Sequence, residues 1–423
     1  MGASTIVALS SGQLPSAIAV LRLSGPASHA AARRLCTLPE AGQAALRTIR
    51  DPDDNSLVDE GLVLRFDAPR SATGEDAVEF HLHGSRAVVD RVIQLLLGHA
   101  EVRLAESGEF TRRALAAGKM DLIEAEALSD LLAAETEEQR QQAMAQMQGG
   151  LSAAIHHLLD RIIDLSAQVE AAIDYVGDED EMDRADDVFA GLDALRDAIK
   201  KLLDAPARRP LHDGVRVVFA GPPNSGKSRL FNKIVGFDRA IVHSEAGTTR
   251  DSIDHPIRLD GRAFVFVDTA GQRETAGDAI EAEGIDRSRA AMESADLLVW
   301  FGDPDRVPNN PNVILVSPKS DLGTVGQGIP VSSQTTDGAK ELVAELQRRA
   351  NLLLPKPGEV VLNMRHREAL DAVMLDLQTP LNDDLAILGS ALSSARRRIE
   401  ALLGIGTLDD VLDRVFSRFC LGK

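Results

Sequence analysis

The sequence predicts a multidomain chain of α/β and α classes. It has an α+β N-terminal region, a helical domain in two pieces, and a P-loop α/β domain inserted between them. Three observations carry this. Val215–Ala220 is a short apolar run that passes into Gly221-Pro-Pro-Asn-Ser-Gly-Lys-Ser228 and then helix-type sequence. Asp76–His83 alternates apolar and polar residues, the period of a strand. Blocks rich in Ala and Leu at helical spacing, Met120–Asp174 and Val360–Lys423, flank the glycine loop.

In chain order, Ala17–Leu23 reads as a strand ending at Ser24-Gly25, and Gly61–Phe66 as another. In Asp76–His83, Val78, Phe80 and Leu82 share one face and Glu79, His81 and His83 the other. Gly84 reads as a turn into a helix carrying Val89, Val92, Ile93 and Leu96. Ile155, Leu158, Leu159, Ile162 and Val169 trace a helical stripe. Asp178-Glu-Asp-Glu181 reads as a solvated loop, Val188–Leu203 as a helix and Asp204–Pro210 as a linker. Expected domains are 1–117, 118–210, 211–355 and 356–423. The second and fourth form one helical domain, because their apolar stripes need each other for burial.

The 423 residues allow several cores, and 44% hydrophobic with 26% charged residues fits a globular protein. No apolar run is long enough to span a membrane, and no signal peptide is expected. Cys36 and Cys420, the two cysteines, fit a reducing cytoplasm rather than a disulfide framework. A net charge of −19 argues against broad non-specific nucleic-acid binding, so RNA contact needs a local basic patch. Arg365-His-Arg367 and Arg396-Arg-Arg398 are candidates, although each also reads as a solvated helix face.

The loop Asn224, Ser225, Gly226, Lys227 and Ser228 is built to hold phosphate. Its backbone N–H groups converge on oxygens, the next helix adds its positive end, Lys227 reaches the outer phosphates and the Ser228 hydroxyl suits magnesium. Further motifs follow in the order a GTPase requires. Gly247-Thr-Thr-Arg-Asp251 supplies Thr249 for magnesium when a γ-phosphate is present. A strand ends in Asp268-Thr269-Ala270-Gly271, whose acid would hold magnesium through water and whose glycine N–H would sense the γ-phosphate. Another ends in Lys319-Ser-Asp321, and Asp321 can accept from guanine N1 and N2. A fourth places Ser332, Ser333 and Gln334 near the base. GTP is expected over ATP. Pro318 stands where such motifs usually carry asparagine, which predicts weaker nucleotide affinity with the preference for guanine kept.

Leu21-Arg-Leu-Ser-Gly25, Thr73-Gly-Glu-Asp76 with Glu79, Gly108-Glu-Phe110, Asp121-Leu-Ile-Glu-Ala-Glu126 and the terminal Phe419-Cys-Leu-Gly-Lys423 complete the pattern. Together with the GTPase set, the chain closely resembles the MnmE (TrmE) family of tRNA-modification GTPases over nearly its whole length. The resemblance implies an N-terminal folate-binding and dimerisation domain, a discontinuous helical domain and an inserted Ras-like GTPase domain. It implies a homodimer working with an FAD-dependent partner protein of the MnmG (GidA) type on tRNA. The product would be a carboxymethylaminomethyl- or aminomethyl-type group at C5 of the wobble uridine. The one-carbon unit would come from a tetrahydrofolate (5-formyl or 5,10-methylene), with GTP hydrolysed to GDP.

By position, folate contacts fall on Arg22, Glu79, Lys119 and Lys423. Without the resemblance, Glu79 reads as a solvent-facing strand residue and Lys119 as a surface lysine at a helix start. The resemblance places the tail carrying Cys420 at the folate site, leaving open catalysis by that thiol or a plain small-hydrophobe role. It also implies a potassium ion between the phosphates, held by Asn224 and the segment His243, Ser244, Glu245, Ala246, Gly247 and Thr248. Positive charge there stabilises the transition state. His243 and Glu245 depart from the family's commoner residues. The water-orienting acid falls on Glu281. Gln272, directly after Gly271, occupies the position Ras-like enzymes use, and the two remain alternatives, with Glu281 preferred. A ribosome-assembly switch shares the nucleotide motifs but would lack a purpose for the N-terminal region and tail. A non-hydrolysing scaffold is disfavoured by Thr249, Asp268 and Glu281.

Overall fold

The computed structural model describes residues 4–174, 181–204, 214–237, 254–259, 262–268, 289–308, 310–322, 326–332, 337–354, 359–378, 384–406, 416 and 422. The contacts divide the chain into two compact units, Met1–Ser129 with Arg396–Lys423, and Asp130–Ala395.

The first unit is built on strands β1 (Thr5–Leu9), β2 (Ser16–Ser24), β3 (Ala44–Arg50), β4 (Leu57–Phe66), β5 (Ala77–Gly84) and β6 (Val102–Leu104). They form one sheet in the order β3-β4-β5-β2-β1-β6, antiparallel except for β1 with β6. Helices α1 (Ser28–Arg33), α2 (Arg86–Leu97) and α3 (Glu109–Ala116) accompany it. Val78, Phe80 and Leu82 are buried as the alternation requires, and they meet Val89, Val92 and Leu96 of α2 in one core. Each such side chain contributes about 1.5–3 kcal/mol. The structure corrects Gly84. It ends the strand rather than forming the turn, and a Cβ there would sit 2.2 Å from the Ser16 carbonyl oxygen. Close approach, not turn geometry, excludes a side chain.

Cys36 packs beside this core, and burial pushes its thiol up to about 11 against the opposing pull of Arg47.

The motif residues form joints. The Ser24 hydroxyl meets that of Thr73 at 2.7 Å and donates to Glu75 at 2.8 Å, while the Gly25 N–H donates to the Asp76 carbonyl at 2.9 Å. Arg113 donates to Glu75, to the Ser4 carbonyl and to Glu109. Glu109 also accepts from Arg103 and from the Glu106 N–H. At the start of α4 (Leu122–Ala133), Asp121 and Glu124 exchange backbone-to-carboxylate bonds of 2.9 and 3.0 Å, a reciprocal cap.

In the second unit, the Ala- and Leu-rich block is interrupted rather than continuous. Helix α5 (Glu137–Met147) starts at a Thr136 capping box, and α6 (Gly150–Asp174) follows the positive φ of Gly149. The stripe Ile155, Leu158, Ile162 and Val169 is buried. Helix α7 (Glu181–Leu203) begins at Glu181, which corrects the loop expected there; Asp178–Asp180 lie outside the described residues. Strands β7 (Val215–Ala220), β8 (Asp254–Leu259), β9 (Arg262–Asp268), β10 (Leu297–Trp300), β11 (Val313–Pro318) and β12 (Ile329–Val331) make a second sheet, ordered β12-β11-β10-β7-β9-β8. Only β8 runs antiparallel. Helices α8 (Lys227–Phe237) and α9 (Asp337–Leu353) belong to this α/β layer, and their buried residues share its core.

Helices α10 (Met364–Gln378) and α11 (Leu385–Leu403) follow. Gln142 and Gln146 donate to the carbonyls of Glu359 and Val361, Arg196 donates to the Leu377 carbonyl, and Arg367 to that of Leu203. The two sequence-distant helical pieces are therefore joined by side chains capping backbone carbonyls. One of these bonds engages the first basic cluster: His366 is buried and Arg367 is taken up by the Leu203 carbonyl, so Arg365-His-Arg367 is not simply a solvated face. Arg396, Arg397 and Arg398 are all exposed, with Arg396 paired to Glu400 one turn on, as a solvated helix face requires. No described helix is long and apolar enough to cross a membrane.

Glu109 yields a test. Burial alone would raise its pKa, but bonds from Arg103, the Glu106 N–H and Arg113 outweigh that and hold it below the usual range. Its contribution to stability is therefore complete above the unfolded-state pKa and lost as pH falls through the lower folded value. Glu109→Gln is expected to lower the denaturation midpoint of the N-terminal unit at pH 7. The difference from the parent chain should shrink as pH falls through the lowered folded-state pKa of Glu109.

Candidate functional site

Two sites emerge, one in each unit. The first lies on the N-terminal sheet. Pairing of β2 with β5 sets Arg22 opposite Glu79, and Arg22 Nε donates to Glu79 Oε1 at 2.9 Å. The other Glu79 oxygen is 3.4 Å from His81 Nε2. The Arg22 guanidinium also lies over the Phe110 ring, 5.7 Å from its centroid. A cavity of about 150 Å³ opens here. It is lined by Arg22 and Glu79, by apolar Phe66, Ala72 and Ala77, and by Arg70, Ser71 and Thr73. A flat heterocycle with amide-like N–H groups suits this lining: apolar walls for its faces and a half-buried carboxylate for its donors.

Lys119 is not among the lining residues. Its Cε lies 3.4 Å from where a Cβ on Gly74 would sit, next to Thr73 of the wall. Lys423 and Cys420 lie outside the described residues, but Gly422 between them is seated on the same sheet. Its carbonyl accepts from the Ser10 hydroxyl at 2.9 Å, and a Cβ on it would fall 2.1 Å from the Leu9 oxygen. Leu9 and Leu21 pair across β1 and β2, which puts this point one residue from Arg22.

The second site is the loop between β7 and α8. Parallel strands flank β7 on both sides, so the loop leaves the carboxyl edge where crossovers diverge. Asn224 and Gly226 take positive φ (59° and 96°), which turns successive N–H groups inward. No atom lies within 4 Å of a Cβ built on Gly226, so space remains for a ligand against the backbone. The Lys227 ammonium, nearly buried, donates to the carbonyls of Gly221 and Pro222 at 2.9 and 2.7 Å. The Ser225 hydroxyl is closed off from solvent without a hydrogen-bond partner. Ser228 is half-buried in the first turn of α8. The donor set fits a polyphosphate with its magnesium ion.

Beyond the loop, Lys319 has φ 61° and Asp321 sits in a short 3₁₀ turn after β11. Ser332, buried at the end of β12, donates to Asp321 Oδ1 at 2.6 Å, leaving Oδ2 for another donor. Pro318 closes β11 opposite Val331, and the Ser317 hydroxyl accepts from the Gly326 N–H at 2.9 Å. Sequence reasoning missed Ser317; its only signal was a position next to Pro318. Asp268 ends β9, with its side chain outside the described residues. His243 to Thr249, Thr269, Ala270, Gly271, Gln272, Glu281, Ser333 and Gln334 also lie outside them.

A family model described as the MnmE helical domain matches residues 122–420, and one described as the GTP-binding protein TrmE N-terminus matches residues 5–119. The chain is 43% identical over 424 residues to the tRNA modification GTPase MnmE of Erythrobacter litoralis, covering 99% of this chain and 100% of that one. It belongs to the MnmE family. The MnmE relative from Rhizorhabdus wittichii is 44% identical over 428 residues, covering 99% of this chain and 96% of its own. Among solved structures, the G domain of the T. maritima FeoB iron transporter aligns at 22% identity with TM-score 0.23, covering 32% of this chain and 98% of that one. The MnmE architecture of N-terminal domain, helical domain and P-loop GTPase domain thus holds for this chain.

The Ser332 contact gives a direct test. A hydrogen bond to a charged group contributes about 1.5 kcal/mol, roughly tenfold in affinity. Ser332→Ala is expected to weaken GDP binding by about that factor in a titration and to leave ADP binding unchanged.

Proposed function

We propose that this chain is a GTP-hydrolysing enzyme of tRNA modification that acts at C5 of the wobble uridine. It would install a carboxymethylaminomethyl- or aminomethyl-type group with an FAD-dependent partner protein and a tetrahydrofolate one-carbon donor. Family membership supports the GTPase and tRNA-modification parts. The observation that carries the rest is the Arg22–Glu79 cavity, because a nucleotide-driven switch has no use for a second heterocycle site built from the N-terminal motifs.

In this reading Glu79 receives the amide-like N–H edge of the pterin, and Arg22 holds the carboxylate aimed through its hydrogen bond. The seat of Gly422 beside Leu9 and Ser10 supports a tail that brings Cys420 and Lys423 towards the same cavity. The tetrahydrofolate, when bound, supplies the one-carbon unit.

At the phosphate loop, Lys227 exchanges two neutral carbonyl acceptors for phosphate oxygens, and the N–H groups around Gly226 hold the rest of the chain of phosphates. Ser228, Thr249 and Asp268 would hold magnesium, which would supply positive charge to neutralise the phosphates. Asn224, with the segment 243–248, would hold potassium, which would supply positive charge to stabilise the transition state. Asp321 reads guanine while Ser332 holds it in orientation. Glu281 orients the attacking water, with Gln272 as the competing group.

A homodimer through the N-terminal domain is supported by the outward face of its sheet. Ile18, Leu46 and Leu62 are exposed there, and Leu46 lies opposite Leu62 in register. GTP binding would draw the two nucleotide domains together and so reorganise the modification site. The cytoplasm, where tRNA and reduced folates meet, is the proposed location.

Two experiments test this reading. Mass analysis of tRNA nucleosides from cells lacking the protein should show wobble uridine without its C5 group; an unchanged profile would refute the proposal. Glu281→Ala is expected to reduce GTP turnover by at least about a hundredfold with nucleotide binding retained. The same loss in Gln272→Ala alone would move the water-orienting role there.

A further inference from the structure

Among the described residues that line the N-terminal cavity, one cation is not used by the surrounding network. Arg22 is committed to Glu79 and to the face of Phe110. Arg113 is spent on Glu75, Glu109 and the Ser4 carbonyl, and Arg65 grips Asp67 with both arms of its fork at 2.8 and 3.1 Å. Arg70 lines the same cavity, is exposed, and makes no side-chain hydrogen bond or ion pair among the described residues. Its backbone is nevertheless pinned: the Arg70 N–H donates to the Asp67 carbonyl at 2.8 Å, and the Ser71 hydroxyl next to it donates to the Glu75 carbonyl. A loop held by these bonds therefore brings an exposed arginine to the cavity, while the Arg22–Glu79 pair in the same lining is largely buried.

Such a polarity selects an occupant with N–H donors at one end and an anion at the other. The nearby acids Asp67, Glu75 and Glu79 each already hold an arginine, and the chain carries −19 overall. An incoming carboxylate needs a local cation to offset that field, and a guanidinium matches a carboxylate in a planar, two-pronged fit. We propose that Arg70 binds the glutamate carboxylates of the folate and makes the site prefer glutamylated folates over tail-less pterins. This rests on the folate reading above, and it separates two jobs: Arg22 serves the pterin carboxylate partner and Arg70 the tail.

The test uses the full chain and three probes: 5-formyltetrahydrofolate, its triglutamate, and 5-formyltetrahydropteroate, which lacks glutamate. Calorimetric titration of the parent chain should show both glutamylated probes binding about tenfold or more tighter than the pteroate. Arg70→Ala should erase most of that difference by weakening the glutamylated probes while leaving pteroate affinity unchanged. Arg70→Lys should restore part of it, since a point charge replaces the fork. Because Arg70 is exposed and unpaired among the described residues, its thermal midpoint should match the parent's. If the parent chain discriminates and Arg70→Ala discriminates equally, the tail is read elsewhere and the proposal falls. If the parent chain binds all three alike, it falls as well. If none of the three binds, the folate reading itself fails and takes this inference with it.

Discussion

A carboxylate can read the edge of a heterocycle only if something else holds it pointing the right way. Both candidate sites meet this constraint through neighbouring strands. Arg22 and Glu79 are register partners on β2 and β5. Asp321 follows β11 and is held by Ser332, which follows β12, the neighbouring parallel strand. In the first case the ladder of backbone hydrogen bonds fixes the distance between the carboxylate and its support; in the second a hydroxyl just past the end of the neighbouring strand holds an acid on a short turn. A free acid on a loop would spend its orientation on water.

The same logic explains why the N-terminal motifs are so dispersed in sequence yet so close in space. Ser24 and Gly25 reach Thr73, Glu75 and Asp76 because antiparallel pairing carries the end of β2 to the start of β5. Gly25 can have no side chain, since a Cβ would lie 2.7 Å from the Cα of Thr5. Gly108, in the left-handed region, admits Phe416 in the same way and sends Phe110 beneath Arg22. The short motifs are joints between strands, and the cavity is what those joints enclose.

Much of this was legible in the sequence where a pattern is local. Strands β2, β5, β7, β9 and β11 announced themselves by apolar runs or alternation, and the stripe of α6 by its period. The phosphate loop was legible because all its ligands are contiguous. Strands β1, β3 and β6 were not singled out. Strand β3 buries only Ile49 among its seven residues, and β6 is three residues long, so neither carries enough apolar signal. Gly84 was misread because a glycine between a strand and a helix looks like a turn until the opposing Ser16 is seen. The N-terminal cavity draws on β2, β4, β5 and the loop between the last two, and a lone arginine in that loop, Arg70, gives no sequence signal at all.

The burial of Cys36 has a practical side. A thiol with a pKa of about 11 is almost entirely protonated at neutral pH, and only the thiolate reacts readily with electrophiles. Maleimide or iodoacetamide dyes should therefore leave it untouched under mild conditions. The chain holds just one other cysteine, Cys420, so thiol labelling that does occur under these conditions should map to that position.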